Sequence, residues 1–158
     1  MIFLECNNDE LLIKSLGFQR KGISHERCKG EVVKKVGKSS SAVGIIDEDI
    51  KANEPREMNN YMEVSERKAN RNIKLLQKKD DKQKILVQIS PYLEHWLLNC
   101  AKRNKIKPKD FNLPDDPQKL HAMTNLDRNK KFQEFLEKLI ETDTEIQTLK
   151  KWIEDALG

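Results

Sequence analysis

The chain has 158 residues, enough for one domain with a real core and too short for two independent ones. Charged residues make up 35% and hydrophobic residues 37%, which excludes a disordered composition and predicts a modest core beneath a heavily charged surface. The formal net charge of +4 comes mostly from Lys and Arg before residue 110, which suits a polyanionic partner or a solvated lysine-rich surface. Cys6, Cys28 and Cys100 are widely spaced with no Cys-x-x-Cys pair, so they read as free thiols of a reducing compartment. Met1-Ile2-Phe3-Leu4 is too short for a signal peptide, and no apolar run approaches the roughly 18 residues of a membrane span. A soluble, cytoplasmic protein with no membrane partner is expected.

Residues 2 to 6 read as a buried strand. Asn7 and Glu10 then have capping-box spacing, and a helix through Leu11, Leu12, Ile13 and Leu16 stops at Gly17. Phe18 to Ser24 predicts a second strand. Lys29-Gly30 opens a second helix, through Val32, Val33 and Val36, that ends at Gly37. Ala42 to Ile46 predicts a third strand, giving the order β-α-β-α-β of a parallel sheet with right-handed crossovers. From Lys51 to Asn72 the chain lacks apolar periodicity and reads as a mobile loop. Ile73 to Lys79 and Lys84 to Ser90 predict a hairpin across Asp80-Asp81-Lys82-Gln83. Pro91 is expected to begin a helix through Leu93, Trp96, Leu97 and Cys100. Three further helices follow, from Asp116 to Ala122, from Arg128 to Ile140, and from Thr142 to Leu157, the last opened by a Thr142/Glu145 capping box. Their apolar stripes need a partner surface, either the sheet or another chain. The predicted organisation is one α/β domain over 1–110 with a helical C-terminal extension over 111–158 packed on it.

Two acidic clusters end two of the strands. Glu5 closes Ile2-Phe3-Leu4, and Asp47-Glu48-Asp49 closes Ala42 to Ile46. Carboxylates at the carboxyl ends of parallel strands sit in the crevice where open α/β sheets do chemistry. Several anions within a few ångströms repel, and a hard divalent cation with oxygen ligands is the usual compensation.

A glutamate after strand one and an Asp-x-Asp after strand three, separated by two helices, resembles the Toprim domain of DNA primases, topoisomerases and OLD-type nucleases, over roughly residues 1 to 100. The matched residues are Glu5, Asp47 and Asp49, with Gly30 at the start of the second helix. The resemblance implies a central, mostly parallel sheet flanked by helices and a magnesium or manganese site used in phosphodiester chemistry. In that site Asp47 and Asp49 would be ligands, and Glu5 a ligand or a general base. The chain lacks a further aspartate or glycine soon after Asp49 and is shorter than most nuclease members.

Pro91 to Leu98 resembles a segment of small Toprim-like proteins, and Glu94 at its helix start is a further candidate ligand or, equally, a residue favoured by the helix dipole. Glu48 is another candidate carboxylate. His25, Arg27 and Lys29 precede the second helix, where the amides at Gly30 with Lys29 would hold a substrate phosphate. Lys102, Arg103, Lys105, Lys107 and Lys109 form a basic run that lines nucleic acid or is simply solvated. No Gly-x-Ser-x-Gly, Cys-His pairing or P-loop is present, which disfavours acyl transfer and direct nucleotide hydrolysis. The reading is a magnesium-dependent nuclease or phosphodiester-transfer protein acting on DNA or RNA, by analogy in prokaryotic defence or RNA processing. The alternatives are a noncatalytic subunit whose C-terminal helices bind a partner ATPase or a second copy, and a nucleic-acid-binding module without chemistry.

Overall fold

The computed structural model describes residues 1–51, 53–66 and 71–158. Its first half alternates strands and helices: β1 (Ile2–Leu4), α1 (Asn7–Ser15), β2 (Ile23–His25), α2 (Lys29–Lys38) and β3 (Ala42–Asp47). Then come β4 (Tyr61–Glu63), β5 (Ile73–Lys78) and β6 (Asp81–Ile89), followed by α3 (Leu93–Arg103), α4 (Pro117–His121), α5 (Lys130–Thr142) and α6 (Thr144–Leu157). The six strands form one sheet in the order β2-β1-β3-β6-β5-β4. The first four are parallel, while β5 and β4 run antiparallel along one side. The architecture is therefore α/β with a mixed, mostly parallel sheet flanked by helices.

Alternation along the strands divides the core into two layers. Phe3, Ala42, Ile46 and Leu86 point to the face covered by Val32, Val33 and Val36 of α2. Ile2, Leu4, Val43, Ile45, Ile85, Val87 and Ile89 point to the other face. Gly44 is the close-approach point of the first layer, because a Cβ there would lie 2.6 Å from Leu86 Cδ2 and 2.8 Å from Val32 Cγ1.

The second layer is where the C-terminal helices belong. Phe132, Phe135, Leu136 and Leu139 of α5 and Ile146, Leu149 and Ile153 of α6 join the same buried cluster as β1, β3 and β6. Each such side chain, fully buried, is worth about 2 kcal/mol of transfer free energy. The surface that their stripes require is thus the sheet of the same chain. Trp96, fully buried on α3, donates its indole N–H to Glu145 Oε1 at 2.8 Å and so ties α3 to α6. Among the described residues no helix is long and apolar enough to cross a membrane.

Several local expectations are corrected. The first helix is capped by Cys6 and Asp9, not by Asn7 and Glu10, since Cys6 is the residue with extended backbone whose side chain meets the amide of Asp9. The second strand is shorter and later than Phe18 to Ser24, because a 3-10 turn occupies Arg20–Gly22. Pro91 does not begin α3: it follows a cis peptide bond, and Tyr92 is the N-cap. The last helix is capped by Asp143, whose Oδ1 accepts from the amides of Glu145 and Ile146 at 2.9 and 3.1 Å. Thr142 instead returns its hydroxyl to the carbonyl of Lys138. The hairpin closes more tightly than predicted, with β6 already under way at Asp81. In the predicted loop from 51 to 72, residues 52 and 67–70 lie outside the described residues. The rest includes a 3-10 turn at Arg56–Asn60 and β4, which Tyr61 anchors by burial.

Candidate functional site

The register explains why the two acidic clusters meet. Ile2 and Phe3 pair with Val43 and Gly44, so the chain leaves β1 at Glu5 beside the end of β3. Asp47, the last residue of β3, pairs with Ile89 at the end of β6. Glu5 Oε1 accepts a hydrogen bond from the backbone N–H of Asp47 at 3.3 Å. Beyond Asp47 the chain turns through Asp49, whose φ of 44° lies in the left-handed region that Asp tolerates better than most residues. The edge is covered by a cleft of about 580 Å³ lined by Glu5, Asp47, Asp49, Lys29 and Gly30, together with Tyr92 and His121.

A carboxylate that sequence reasoning missed lies behind this edge. Asp9, in the first turn of α1 and 4% exposed, accepts from the Cys6 amide through Oδ2 at 3.2 Å. Its other oxygen, Oδ1, is buried without a hydrogen-bond partner, and so is Oδ1 of Asp47. Each buried orphan of this kind costs on the order of 1–3 kcal/mol.

The electrostatics follow from the crowding. Burial pushes Asp47 up to about 8, and the neighbouring charges of Asp9, Glu5 and Glu94 add to it. Burial likewise raises Asp9 to about 7, opposed by its bond with Cys6 and reinforced by Glu5 and Glu94. Glu5 is raised by burial, against the lowering effects of the Asp47 amide and the Lys29 charge.

The other predicted residues are placed as follows. Glu94 is 2% exposed and both its oxygens are engaged: Oε1 accepts from Asn8 Nδ2 and Oε2 meets His121 Nδ1, each at 2.9 Å. Glu48 accepts from the Ser90 hydroxyl. Lys29 Nζ donates to the Glu48 carbonyl at 2.6 Å and to Glu54 Oε1 at 2.8 Å, so it reaches the cleft already paired. Gly30 opens α2 on the cleft, with only Cys28 Sγ and Pro55 Cγ, both 3.9 Å away, near the place of a Cβ. His25 is not among the cleft residues and lies 3.9 Å from Glu10. In the basic run, Arg103 is committed to Asp143 at 3.0 Å and Glu145 at 3.7 Å, while the four lysines are exposed.

Oxygen donors, anionic charge and two orphaned carboxylate atoms are the donor chemistry of a hard divalent cation. Among the described residues no three His, Cys, Asp or Glu side chains stand so that together they could hold a metal ion. Glu5 and Asp47 meet at one edge without assembling a ligand set. No family model, curated protein or solved structure matches the chain.

Proposed function

We propose that the chain is a Toprim-like nuclease or phosphodiester-transfer protein that uses magnesium or manganese on nucleic acid. The observation that carries this reading is the pair of unpartnered buried oxygens on Asp9 and Asp47, beside Glu5, at the carboxyl edge of a parallel sheet. Unpaired buried carboxylates cost stability, are relieved by taking up a proton or a cation, and cluster at functional sites.

Glu5, Asp47 and Asp49 would have to draw together to hold the ion, since they do not form a ligand group as they stand, and Asp9 lies behind them. Glu94 is left out of the ligand set because Asn8 and His121 already occupy its oxygens. When bound, the cation neutralises the cluster and draws charge from a phosphoryl oxygen. Lys29 and the amide of Gly30 border the same cleft and are the residues we assign to the substrate phosphate. The competing reading, a noncatalytic subunit that binds a partner ATPase through its C-terminal helices, drew on the chain's small size and thin motif content; the apolar stripes of those helices are buried against the sheet.

Nicking of supercoiled plasmid and of a structured RNA, with and without manganese, tests the proposal. Ion-dependent cleavage by the parent should fall at least about 100-fold in Asp47→Ala and in Glu5→Gln. Cleavage that is indifferent to both substitutions would reject this site.

A further inference from the structure

A second chemical group reaches the cleft from outside the strand edge. α4 is a five-residue helix, started by Asp116, whose Oδ1 accepts from the Lys119 amide at 2.9 Å, and by Pro117. Leu120, fully buried, pins it, and the next residue, His121, lines the cleft with a side chain 62% exposed. Its Nδ1 lies 2.9 Å from Oε2 of Glu94, while Asn8 holds the other Glu94 oxygen. The Tyr92 ring, with its centroid 5.1 Å away, braces the imidazole from the side.

Where Oε2 accepts this hydrogen bond, Nδ1 carries the proton and Nε2 is left as the second polar atom of the ring. Among the described residues the ring's hydrogen bond is made by Nδ1, and Nε2 makes none. Here the carboxylate is buried and the imidazole stands in the cleft, which is the arrangement of a base oriented by a fixed acid.

We propose that His121, oriented by Glu94, is the general acid of this cleft and protonates the oxygen that leaves phosphorus. The inference rests on the phosphodiester reading given above. The oxygen of an incoming water forms a bond to phosphorus as the bond to the sugar oxygen breaks. The electron pair of the broken bond stays on the sugar oxygen, which takes the Nε2 proton of the imidazolium. The proton lost by the water passes to solvent, and exchange with solvent returns one proton to His121. Glu94 is the positioning residue: it fixes the tautomer and the orientation of the ring.

The test compares two substrates in manganese. One is an oligonucleotide, whose alkoxide leaving group needs a proton, and the other is bis(p-nitrophenyl) phosphate, whose phenolate does not. His121→Ala should lose about 100-fold on the oligonucleotide and no more than about fivefold on the activated ester. Glu94→Gln should show the same asymmetry with a loss of about 10-fold. Nitrogen NMR of the neutral ring should show the proton on Nδ1 in the parent and redistribution toward Nε2 in Glu94→Gln. Equal losses on both substrates, no loss on either, or a parent ring protonated on Nε2 would each overturn the assignment. A parent that cleaves neither substrate, or whose cleavage survives Asp47→Asn, removes the phosphodiester reading and this one with it. Cleavage lost in Asp47→Asn but spared in His121→Ala leaves that reading standing and overturns only the role of His121.

Discussion

Asp9 and Asp47 hold their protons more tightly in the fold than in the unfolded chain, and this makes the site visible to calorimetry. For an acid with a raised folded pKa, the stabilising contribution is fully present below the unfolded value, near 3.8, and is lost as pH rises through about 7 for Asp9 and about 8 for Asp47. The ion-free protein should therefore lose stability steadily from about pH 4 to about pH 8. Asp47→Asn removes part of that slope. At about 3 °C per kcal/mol for a chain of this size, its midpoint should exceed the parent's by several degrees at about pH 8 and match it near pH 4. Manganese should raise the parent's midpoint at the higher pH and leave that of the variant unchanged. Scanning calorimetry at the two pH values checks this, and a parent more stable at the alkaline end would contradict it. At this scale Glu5, Asp47 and Asp49 were legible because each follows an apolar run that could only be a strand. Asp9 was hidden by its second job, since a carboxylate three residues after an N-cap reads as a capping group, and Oδ2 does serve as one. His121 had no local signal at all: its partner is 27 residues away, and only the packing of α4 on α3 brings them together.

The elements depend on how closely α2 approaches the sheet. Gly44 sits under Val32 and Val36, and a methyl group there meets Leu86 Cδ2 at 2.6 Å and two β-branched side chains at 2.8 and 3.0 Å. Leu86 can turn aside, whereas valines in a helix have little rotamer freedom. Gly44→Ala should cost about 1–3 kcal/mol through overpacking, and Gly44→Val more. Urea denaturation would show it as a lower midpoint at unchanged slope, and an unaffected midpoint would mean that α2 is not held where we place it. The helices and central strands were legible from apolar period alone. Their ends were not, because caps are decided by backbone geometry that composition does not report: Cys6, a poor capping residue by type, holds the position expected of Asn7. Asp143 likewise displaces Thr142, since its carboxylate is also drawn to Arg103 and to Asn104 Nδ2 at 2.7 Å. β4 was missed because only Tyr61 of its three residues is buried, too little for a period to register.

At the scale of the whole molecule, the sheet separates two jobs. One face is covered by α2, with Met58 of the 3-10 turn packed beside it. The other carries α1, α3, α5 and α6 over a single large cluster, so the C-terminal third acts as a lid on the core and also delivers His121 to the cleft. The α/β class and the layered order followed from strand and helix alternation. The antiparallel pair β4–β5 did not, because its pairing is long-range and lies beyond a polar stretch with no period of its own. Glu5, Asp9 and Asp47 converge at one sheet edge, and the proposed cation site depends on that convergence. Anomalous diffraction from crystals grown in manganese is the most direct measurement of it. We predict one anomalous peak in contact with Glu5 and Asp47, absent from crystals of Asp47→Asn. Crystals of the parent with no peak at that edge, or with a peak that persists in the variant, would contradict the central claim.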